Sequence, residues 1–309
     1  MTPLNHHPAV IVGAARSGTN LLRDLLCALP GVATWPCDEI NYIWRHGHKD
    51  HPHDAFPAEM ATPRVAKYVR ARFNAMARRA GCAVLVEKTC ANSLRVPFVQ
   101  RVVPEARFLF LVRDGRDAVL SADQRWKAKL DLGYIRAKAR YVPKTDLPYY
   151  ATQYLGNRLA RLMSRDGRLA TWGPRFEGMD DYADQHGGDA CTARQWAVSV
   201  ERAAEAFESF DDSKVLPMQY EDLVTDPVYE IGCACDFLGI NADDDQIEAV
   251  CRGVFGTSVG RWKTRMDADR MGQLAPILDP VLTQFGYEPC PVTTDGAHGG
   301  SAARLRNAA

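Results

Sequence analysis

Short apolar runs alternate with segments of helical period along the chain, and this alternation predicts the fold. Four runs, at residues 9–12, 83–86, 108–112 and 214–220, have the length and composition of buried strands. In the segments between them, apolar residues recur every three or four positions, as on one face of a helix. The alternation favours one α/β domain with a central, mostly parallel sheet and helices on both faces.

Start and stop signals bound several of the helical segments. A helix is predicted after the first strand and ends before Pro30, and another begins at Pro227. Asn241 is placed as the N-cap of a further helix. Pro217 lies inside the fourth run and indicates an edge or bulged strand, because proline cannot donate to the ladder. Other helices are expected at residues 63–80, after residue 113, at 191–210 and at 274–285.

A glycine-rich turn directly follows the first strand. Gly13 and Gly18 let the backbone approach a ligand, and the amides of residues 17–20 fall at a helix N-terminus, where an anion is favoured. A nucleoside-triphosphatase loop has Lys after its second glycine, whereas this chain has Thr19 there and its cation, Arg16, earlier. Arginine can clamp a phosphate or sulfate oxygen bidentately. The loop is therefore predicted to hold an anion without a metal.

Two adjacent carboxylates, Asp38 and Glu39, follow the first helix among aromatic and apolar neighbours. A carboxyl group in such surroundings can have a raised pKa and act as a general base. Either residue is a candidate, and a helix N-cap before Ile40 is the competing interpretation. Lys88 stands at the end of the second apolar run. Since ligands of parallel sheets bind outside the carboxyl ends of strands, its ammonium is expected near the same ligand.

A third motif begins where the run 108–112 ends. Arg113 emerges there, and Ser121 and Arg125 follow on one face of the next helix. Two guanidinium groups and a hydroxyl can together hold one phosphate. The competing interpretation is a buried ion pair between Arg113 and Asp114 or Asp117.

These motifs resemble the sulfotransferases that use 3′-phosphoadenosine 5′-phosphosulfate (PAPS). The Arg-Ser-Gly-Thr loop, the interval from Lys88 to Arg113 and the spacing of Arg113, Ser121 and Arg125 carry the resemblance, which covers about residues 9–125 and 191–287. It is greatest to the branch with a glutamate base, as in protein-tyrosine and bacterial carbohydrate sulfotransferases. It implies a P-loop-like three-layer fold and metal-independent transfer of a sulfuryl group from PAPS to an acceptor hydroxyl.

The resemblance also implies residue roles. Glu39 corresponds to the base, with Asp38 as its rival because this segment is slightly longer here, and Lys88 reaches the oxygen between phosphate and sulfate. Tyr220 stands where the family contacts adenine, although a core tyrosine is an even competitor. The loop 255–263 resembles the segment that closes over PAPS. The implied catalytic residues are Glu39, Lys88 and Arg16, and the implied donor-binding residues are Arg16, Ser17, Gly18, Thr19, Asn20, Arg113, Ser121, Arg125, Tyr220, Ser258, Arg261 and Lys263.

Composition limits the possible partners and cellular compartments of the protein. With 38 basic and 38 acidic residues, no overall charge draws the chain to nucleic acid. Nine cysteines without a C-x-x-C pair indicate reduced thiols, and the four histidines of residues 46–53 predict a solvated loop rather than a zinc site. No signal peptide or transmembrane run is recognisable, which predicts a cytoplasmic protein.

Residues 1–290 are predicted to form a single domain, and residues 291–309 a disordered tail. Within the domain, residues 126–190 are predicted to be a helical insertion on the acceptor side. Residues 126–175 contain eleven Lys or Arg and three Asp. This segment favours an acidic glycan or another saccharide as acceptor and leaves peripheral contact with anionic lipid open. A P-loop kinase using ATP and a nucleotide-binding regulatory protein without chemistry are the alternative functions.

Overall fold

The computed structural model describes residues 3–126, 142–143, 145–150, 152 and 173–291. Most of the predicted basic insertion and the predicted tail lie outside the described residues.

Five strands form one sheet in which every strand pair is parallel. The spatial order is β2-β3-β1-β4-β5. Along β1, Val10 and Val12 pack into one hydrophobic cluster, whereas Ala9 and Ile11 pack into a second. The run is apolar throughout because both faces of the sheet are covered, as predicted. The strands are β1 (His7–Val12), β2 (Val32–Ala33), β3 (Val84–Lys88), β4 (Arg107–Val112) and β5 (Val215–Gln219).

The helices of the described residues connect these strands and cover both faces. They are α1 (Thr19–Cys27), α2 (Asn41–Trp44), α3 (Pro63–Ala80), α4 (Val96–Val102), α5 (Gly115–Trp126), α6 (Met179–Phe207), α7 (Tyr220–Thr225), α8 (Pro227–Leu238), α9 (Asp244–Cys251), α10 (Trp262–Arg265) and α11 (Ala268–Gln284). Residues 147–150 are also helical, and two short 3₁₀ segments lie at Ala58–Met60 and Cys90–Leu94.

Two predicted helix starts were wrong, and one helix has an additional part that was not predicted. The helix expected from residue 191 follows a kink at Gly187, where φ is 81° and ψ is 170°, and a further helical stretch that begins at Met179 precedes the kink. The last helix begins at Ala268 rather than at residue 274. Asp243, not Asn241, caps α9, because its carboxylate accepts the amide of Gln246 in a capping box.

The fourth apolar run behaves as its proline predicted. Pro217 pairs with Phe110, and β5 lies at the edge of the sheet with β4 as its neighbour. An edge position leaves one side of the strand free of a ladder, so the missing proline N–H costs little.

The central position of β1 determines where a ligand can bind. After β1 the chain forms β2 and β3 on one side of this strand, and it then crosses to form β4 and β5 on the other side. Such a switch point leaves a crevice at the carboxyl ends of the strands. A Cβ on Gly13 would lie 2.5 Å from the Leu111 carbonyl oxygen, so only glycine lets the loop after β1 pass this close to β4.

All nine cysteines are free thiols, as predicted. In the part of the chain that the structure describes, no helix has both the length and the apolar character needed to cross a membrane.

Candidate active site

The loop after β1 has an unusual backbone conformation. Arg16 has a φ of 71° and is the only non-glycine residue with a positive φ among those described. Such a conformation costs about 1–3 kcal/mol and is typical of functional sites. Gly18, at φ 87°, is the N-cap of α1, and no side chain caps this helix. The amides of its first turn are therefore available to an anion.

Three buried polar atoms beside this loop lack a hydrogen-bond partner in the described part of the chain. They are Ser17 Oγ, Asn20 Oδ1 and Arg113 Nε. Because buried polar groups are nearly always paired, unpaired ones indicate a site for a further polar group. All three residues were predicted to bind the donor, and the arrangement fits a polar, anionic ligand.

Arg113, at the end of β4, connects the loop to its surroundings. Its Nη1 donates to the Arg16 carbonyl oxygen at 3.0 Å, and Arg16 Nε donates to Ser121 Oγ at 2.9 Å. The structure thus brings Arg16, Arg113 and Ser121 together. The backbone of Arg125 belongs to α5, but its side chain lies outside the described residues.

Tyr220, the first residue of α7, packs directly against the loop. A Cβ on Gly18 would lie 2.2 Å from Cδ2 of this ring. The Arg113 guanidinium also lies over this ring, 4.3 Å from the ring centroid. The Tyr220 hydroxyl lies 2.6 Å from Ser258 Oγ. The ring is therefore fixed between the anion loop, a cation and the segment 255–263.

Asp117 and Arg113 hold the segment 255–263 over the site. The carboxylate of Asp117 accepts the amides of Gly260 at 2.6 Å and Trp262 at 2.9 Å, and Arg113 Nη2 donates to the Ser258 carbonyl oxygen at 2.7 Å. This segment therefore packs onto the site, as the resemblance implied.

Arg261 and Lys263 are placed differently from Ser258. The Lys263 ammonium lies 5.6 Å from the Trp262 ring centroid, and the Arg261 carbonyl oxygen accepts the amides of Thr264 and Arg265. These contacts of the two residues serve α10, and their donor-binding roles remain predictions.

The competing ion-pair interpretation of Arg113 is wrong. Asp114 pairs with Arg116 at 2.8 Å, and Arg116 in turn lies 3.8 Å from the Trp262 ring centroid. Asp117 is occupied by backbone amides. Neither carboxylate forms a salt bridge with Arg113, whose Nη groups bind carbonyl oxygens instead.

A buried lysine forms the second half of the site. Lys88, the last residue of β3, has a side chain that is only 2% exposed, and its Nζ lies 3.1 Å from Asp38 Oδ1 and 3.0 Å from Glu39 Oε1. Glu39 Oε1 also accepts the amide of Cys90 at 3.3 Å. Arg23 donates to Asp38 Oδ1 at 2.8 Å. The two carboxylates therefore share one cation but have different second partners.

These contacts separate the two carboxylates chemically. Burial alone would raise the pKa of Asp38, but the Lys88 ammonium and the Arg23 guanidinium outweigh burial and lower this pKa to about 2. The predicted raised pKa is therefore wrong for Asp38. Burial also opposes the charge of Lys88, yet Glu39 and Asp38 together hold its pKa above the ordinary value. Neither carboxylate caps α2, whose N-cap is Ile40.

Two contacts join the halves of the site. Thr19 Oγ1 in the first turn of α1 lies 3.7 Å from Cys90 Sγ, next to the amide that binds Glu39. Arg23, one turn further along α1, reaches Asp38. The anion loop and the Lys88 cluster are therefore adjacent parts of one crevice.

The family is shown by sequence. A profile described as the sulfotransferase family matches residues 8–171 and 157–244. The chain belongs to this family. No curated protein matches the sulfotransferase chain significantly.

Solved structures share the fold of this sulfotransferase. The sulfotransferase domain from the curacin biosynthetic pathway has 13% identity and a TM-score of 0.55, with 93% of this chain and 100% of that chain covered. The corresponding domain of the Synechococcus PCC 7002 olefin synthase has 16% identity and a TM-score of 0.52, with 93% and 98% covered. Sulfotransferase STF9 from Mycobacterium avium has 15% identity and a TM-score of 0.50, with 94% and 79% covered.

Sequence reasoning missed Arg23, the Cys90 amide and the anchoring role of Asp117. Arg23 lies one turn after Thr19 in a helix whose N-terminus was recognised, so helical spacing could have indicated it. Asp117 was considered only as an ion-pair partner of Arg113. A backbone amide leaves no sequence signal, so the Cys90 contact could not have been found.

The histidines of residues 46–53 bind separate partners in this sulfotransferase. His46 Nδ1 lies 2.9 Å from Asp146 Oδ2, His48 Nε2 lies 2.8 Å from the Met60 carbonyl oxygen, and His51 Nδ1 lies 3.0 Å from the His53 carbonyl oxygen. Within the described ranges, no group of three or more His, Cys, Asp or Glu residues could hold a metal ion.

Proposed function

We propose that this sulfotransferase moves a sulfuryl group from PAPS to an acceptor hydroxyl, with Glu39 as the base. One observation carries the proposal: a buried Lys88–Glu39 pair lies beside an uncapped helix N-terminus. The pair supplies a base and a cation for the leaving group, and the helix N-terminus supplies an anion site.

The donor fits the first half of the site. The amides of residues 18–20 and the Arg16 guanidinium are suited to the 5′-phosphosulfate, which carries the transferable group, whereas the Ser17 amide already donates to the Ala14 carbonyl oxygen. Arg113 and Ser121 are suited to the 3′-phosphate, and the Arg113 Nε has no partner of its own in the described part of the chain. Tyr220 lies beside both groups, and its contact with adenine is a prediction from the family resemblance.

Proton and charge movements follow from the second half. Glu39 takes the proton of the acceptor hydroxyl as the acceptor oxygen bonds to sulfur. The bond from sulfur to the phosphate oxygen breaks on the opposite side, and its electron pair stays on that phosphate oxygen. Lys88 stabilises this developing charge, because two of its three N–H groups serve the carboxylates and one remains for the ligand.

Asp38 is disfavoured as the base in this arrangement. The pKa of Asp38 is about 2, which makes this carboxylate a weak proton acceptor at neutral pH. We expect Glu39→Gln to lower kcat by about 10²- to 10⁴-fold with PAPS affinity retained. Asp38→Asn is the matched control and should lower kcat less. If Asp38→Asn abolishes turnover and Glu39→Gln does not, Asp38 is the base.

Thermal unfolding tests the donor independently of the acceptor. Adenosine 3′,5′-bisphosphate, the product of PAPS, should stabilise the protein without Mg²⁺. A ligand at 1,000 times its Kd adds about 4 kcal/mol, and each kcal/mol shifts Tm by about 2–4 °C in a domain of somewhat smaller size. Stabilisation by ATP with Mg²⁺ alone would refute the donor assignment and favour a kinase. Stabilisation by the bisphosphate without turnover of any acceptor would favour a regulatory protein.

The acceptor proposal rests on the sequence of residues 126–175, most of which lie outside the described residues. Their basic excess supports an acidic saccharide. Charge reversal at Arg136, Lys138 and Arg140 should raise the KM for a sulfated or carboxylated saccharide and leave the KM for PAPS unchanged. An unchanged acceptor KM would contradict this substrate class.

A further inference from the structure

The proposed base lies in a segment without regular secondary structure. Between β2 and α2, residues 34–40 form bends and extended chain. Glu39 therefore has no strand or helix to fix its backbone, although a general base must lie within hydrogen-bond distance of its proton. Something outside the segment must hold it.

Three consecutive residues at the end of β3 bind this segment. The Lys88 ammonium binds both carboxylates, and the Cys90 amide binds Glu39 Oε1. Between them, Thr89 Oγ1 accepts the backbone amide of Ile40 at 3.2 Å. Among the three contacts from the end of β3, this is the one that reaches the backbone beside Glu39; on the other side of Glu39, Arg23 Nη1 donates to the Asp38 carbonyl oxygen at 3.3 Å.

The Thr89 hydroxyl is oriented by a buried polar network. It donates its proton to Glu87 Oε1 at 2.5 Å, and Asn92 Nδ2 donates to Glu87 Oε2 at 2.7 Å. Both Thr89 and Asn92 are completely buried. Since the hydroxyl proton is committed to Glu87, an oxygen lone pair faces the Ile40 amide. Glu87 thus determines the direction in which Thr89 accepts.

The same network reaches the next residue of the segment. Asn92 Oδ1 accepts from Arg95 Nε at 2.9 Å, and Arg95 Nη2 donates to Asn41 Oδ1 at 2.6 Å. Ile40 and Asn41 therefore both form hydrogen bonds to the network of Glu87, Thr89, Asn92 and Arg95. A hydrogen-bonded side-chain network of this kind restricts conformation as a unit.

We propose that the Thr89 hydroxyl is a positioning group for Glu39, held in its orientation by Glu87. The proposal rests on the proposed function in that Glu39 is the base. Thr89 acts through the Ile40 amide and does not touch the substrate. Its loss should affect the chemical step and leave donor binding intact, because the anion loop and Arg113 lie outside this network.

Thr89→Val tests the proposal, with Thr89→Ser as the matched control. Valine replaces the hydroxyl by a methyl group of similar shape, whereas serine keeps it. We expect Thr89→Val to lower kcat by about 10- to 100-fold, since small misplacements of a reacting group have effects of this size. The Kd for the bisphosphate should change less than about threefold, and Thr89→Ser should restore most of kcat. Thr89→Ala replaces the valine variant if the latter does not fold.

Hydrogen exchange of the Ile40 amide separates this proposal from the proposed function. The amide should exchange slowly in the parent protein and in Thr89→Ser, and at least about tenfold faster in Thr89→Val. Unchanged exchange in Thr89→Val, or equal kcat in the valine and serine variants, would overturn the positioning role. A parent protein that neither binds the bisphosphate nor transfers sulfuryl would refute the proposed function, while the exchange result would still decide whether Thr89 holds Ile40.

Discussion

Gly18→Ala is the substitution whose consequence the structure defines most sharply. Gly18 has a φ of 87°, and an added Cβ would lie 2.2 Å from Cδ2 and 2.6 Å from Cε2 of Tyr220. Ordinary carbon contacts are about 3.5–4.0 Å, so the ring must move by more than 1 Å. Because the ring also lies beneath Arg113 and its hydroxyl contacts Ser258, the movement should disrupt both contacts.

The magnitude has two parts. Alanine in the left-handed region costs about 1–2 kcal/mol. Overpacking against a fixed ring adds about 1–3 kcal/mol. The free energy of unfolding should therefore fall by about 2–5 kcal/mol, which at ~2 °C per kcal/mol lowers Tm by about 4–10 °C. Bisphosphate affinity should fall at least about tenfold, because the displaced residues surround the proposed donor site.

Gly31→Ala separates the two parts. Gly31 has a φ of 74° and nothing within 4 Å of an added Cβ, so only the backbone cost applies. Calorimetry should show the smaller Tm loss for Gly31→Ala, with bisphosphate affinity unchanged. The double variant Gly18→Ala/Tyr220→Ala should lose less stability than the sum of its single variants. Equal Tm losses for the two glycine variants, or an unchanged affinity in Gly18→Ala, would refute the reasoning.

Two further predictions concern the segment over the site and an acid-sensitive residue. Asp117→Asn leaves one carboxamide oxygen for two backbone amides. The bisphosphate Kd measured by titration calorimetry should therefore rise about tenfold, while kcat at saturating PAPS stays near the parent value. An unchanged Kd would contradict the anchoring role. Burial lowers the pKa of His6 from 6.5 to about 4. As the pH falls, His6 is therefore protonated in the unfolded chain before it is protonated in the folded protein, and the free energy of unfolding should decrease between pH 6.5 and pH 4. His6→Leu should flatten this dependence in thermal melts, whereas the exposed His7→Leu should not.

Four of the five strands and the anion loop could be predicted because their signals are local, whereas β2 has only two residues and was not predicted. A continuous apolar run such as residues 9–12 is typical of a strand with both faces buried. The glycines of the following loop indicate a close approach of the backbone to a ligand. The N-cap of α9 could also have been predicted from sequence, because Asp243 and Gln246 have the spacing of a capping box.

The missed features depend on residues far apart in the chain. The pKa of Asp38 is set by Lys88 and Arg23, which are 50 and 15 positions away. A kink at Gly187 divides α6, and Met179, at the start of the earlier part, packs with Cys191 of the later part in one hydrophobic cluster.

The edge position of β5 has a consequence for synthesis of the protein. β5 is the last strand in the chain, and it delivers Tyr220 to the loop that follows β1, the first strand. A ribosome releases the amino-terminal part first, and domains generally fold as units during elongation. The anion loop is therefore made early but obtains its aromatic neighbour late, and the Asp117 contacts to Gly260 and Trp262 later still. A nascent chain that ends before residue 262 contains all five strands and an incomplete pocket.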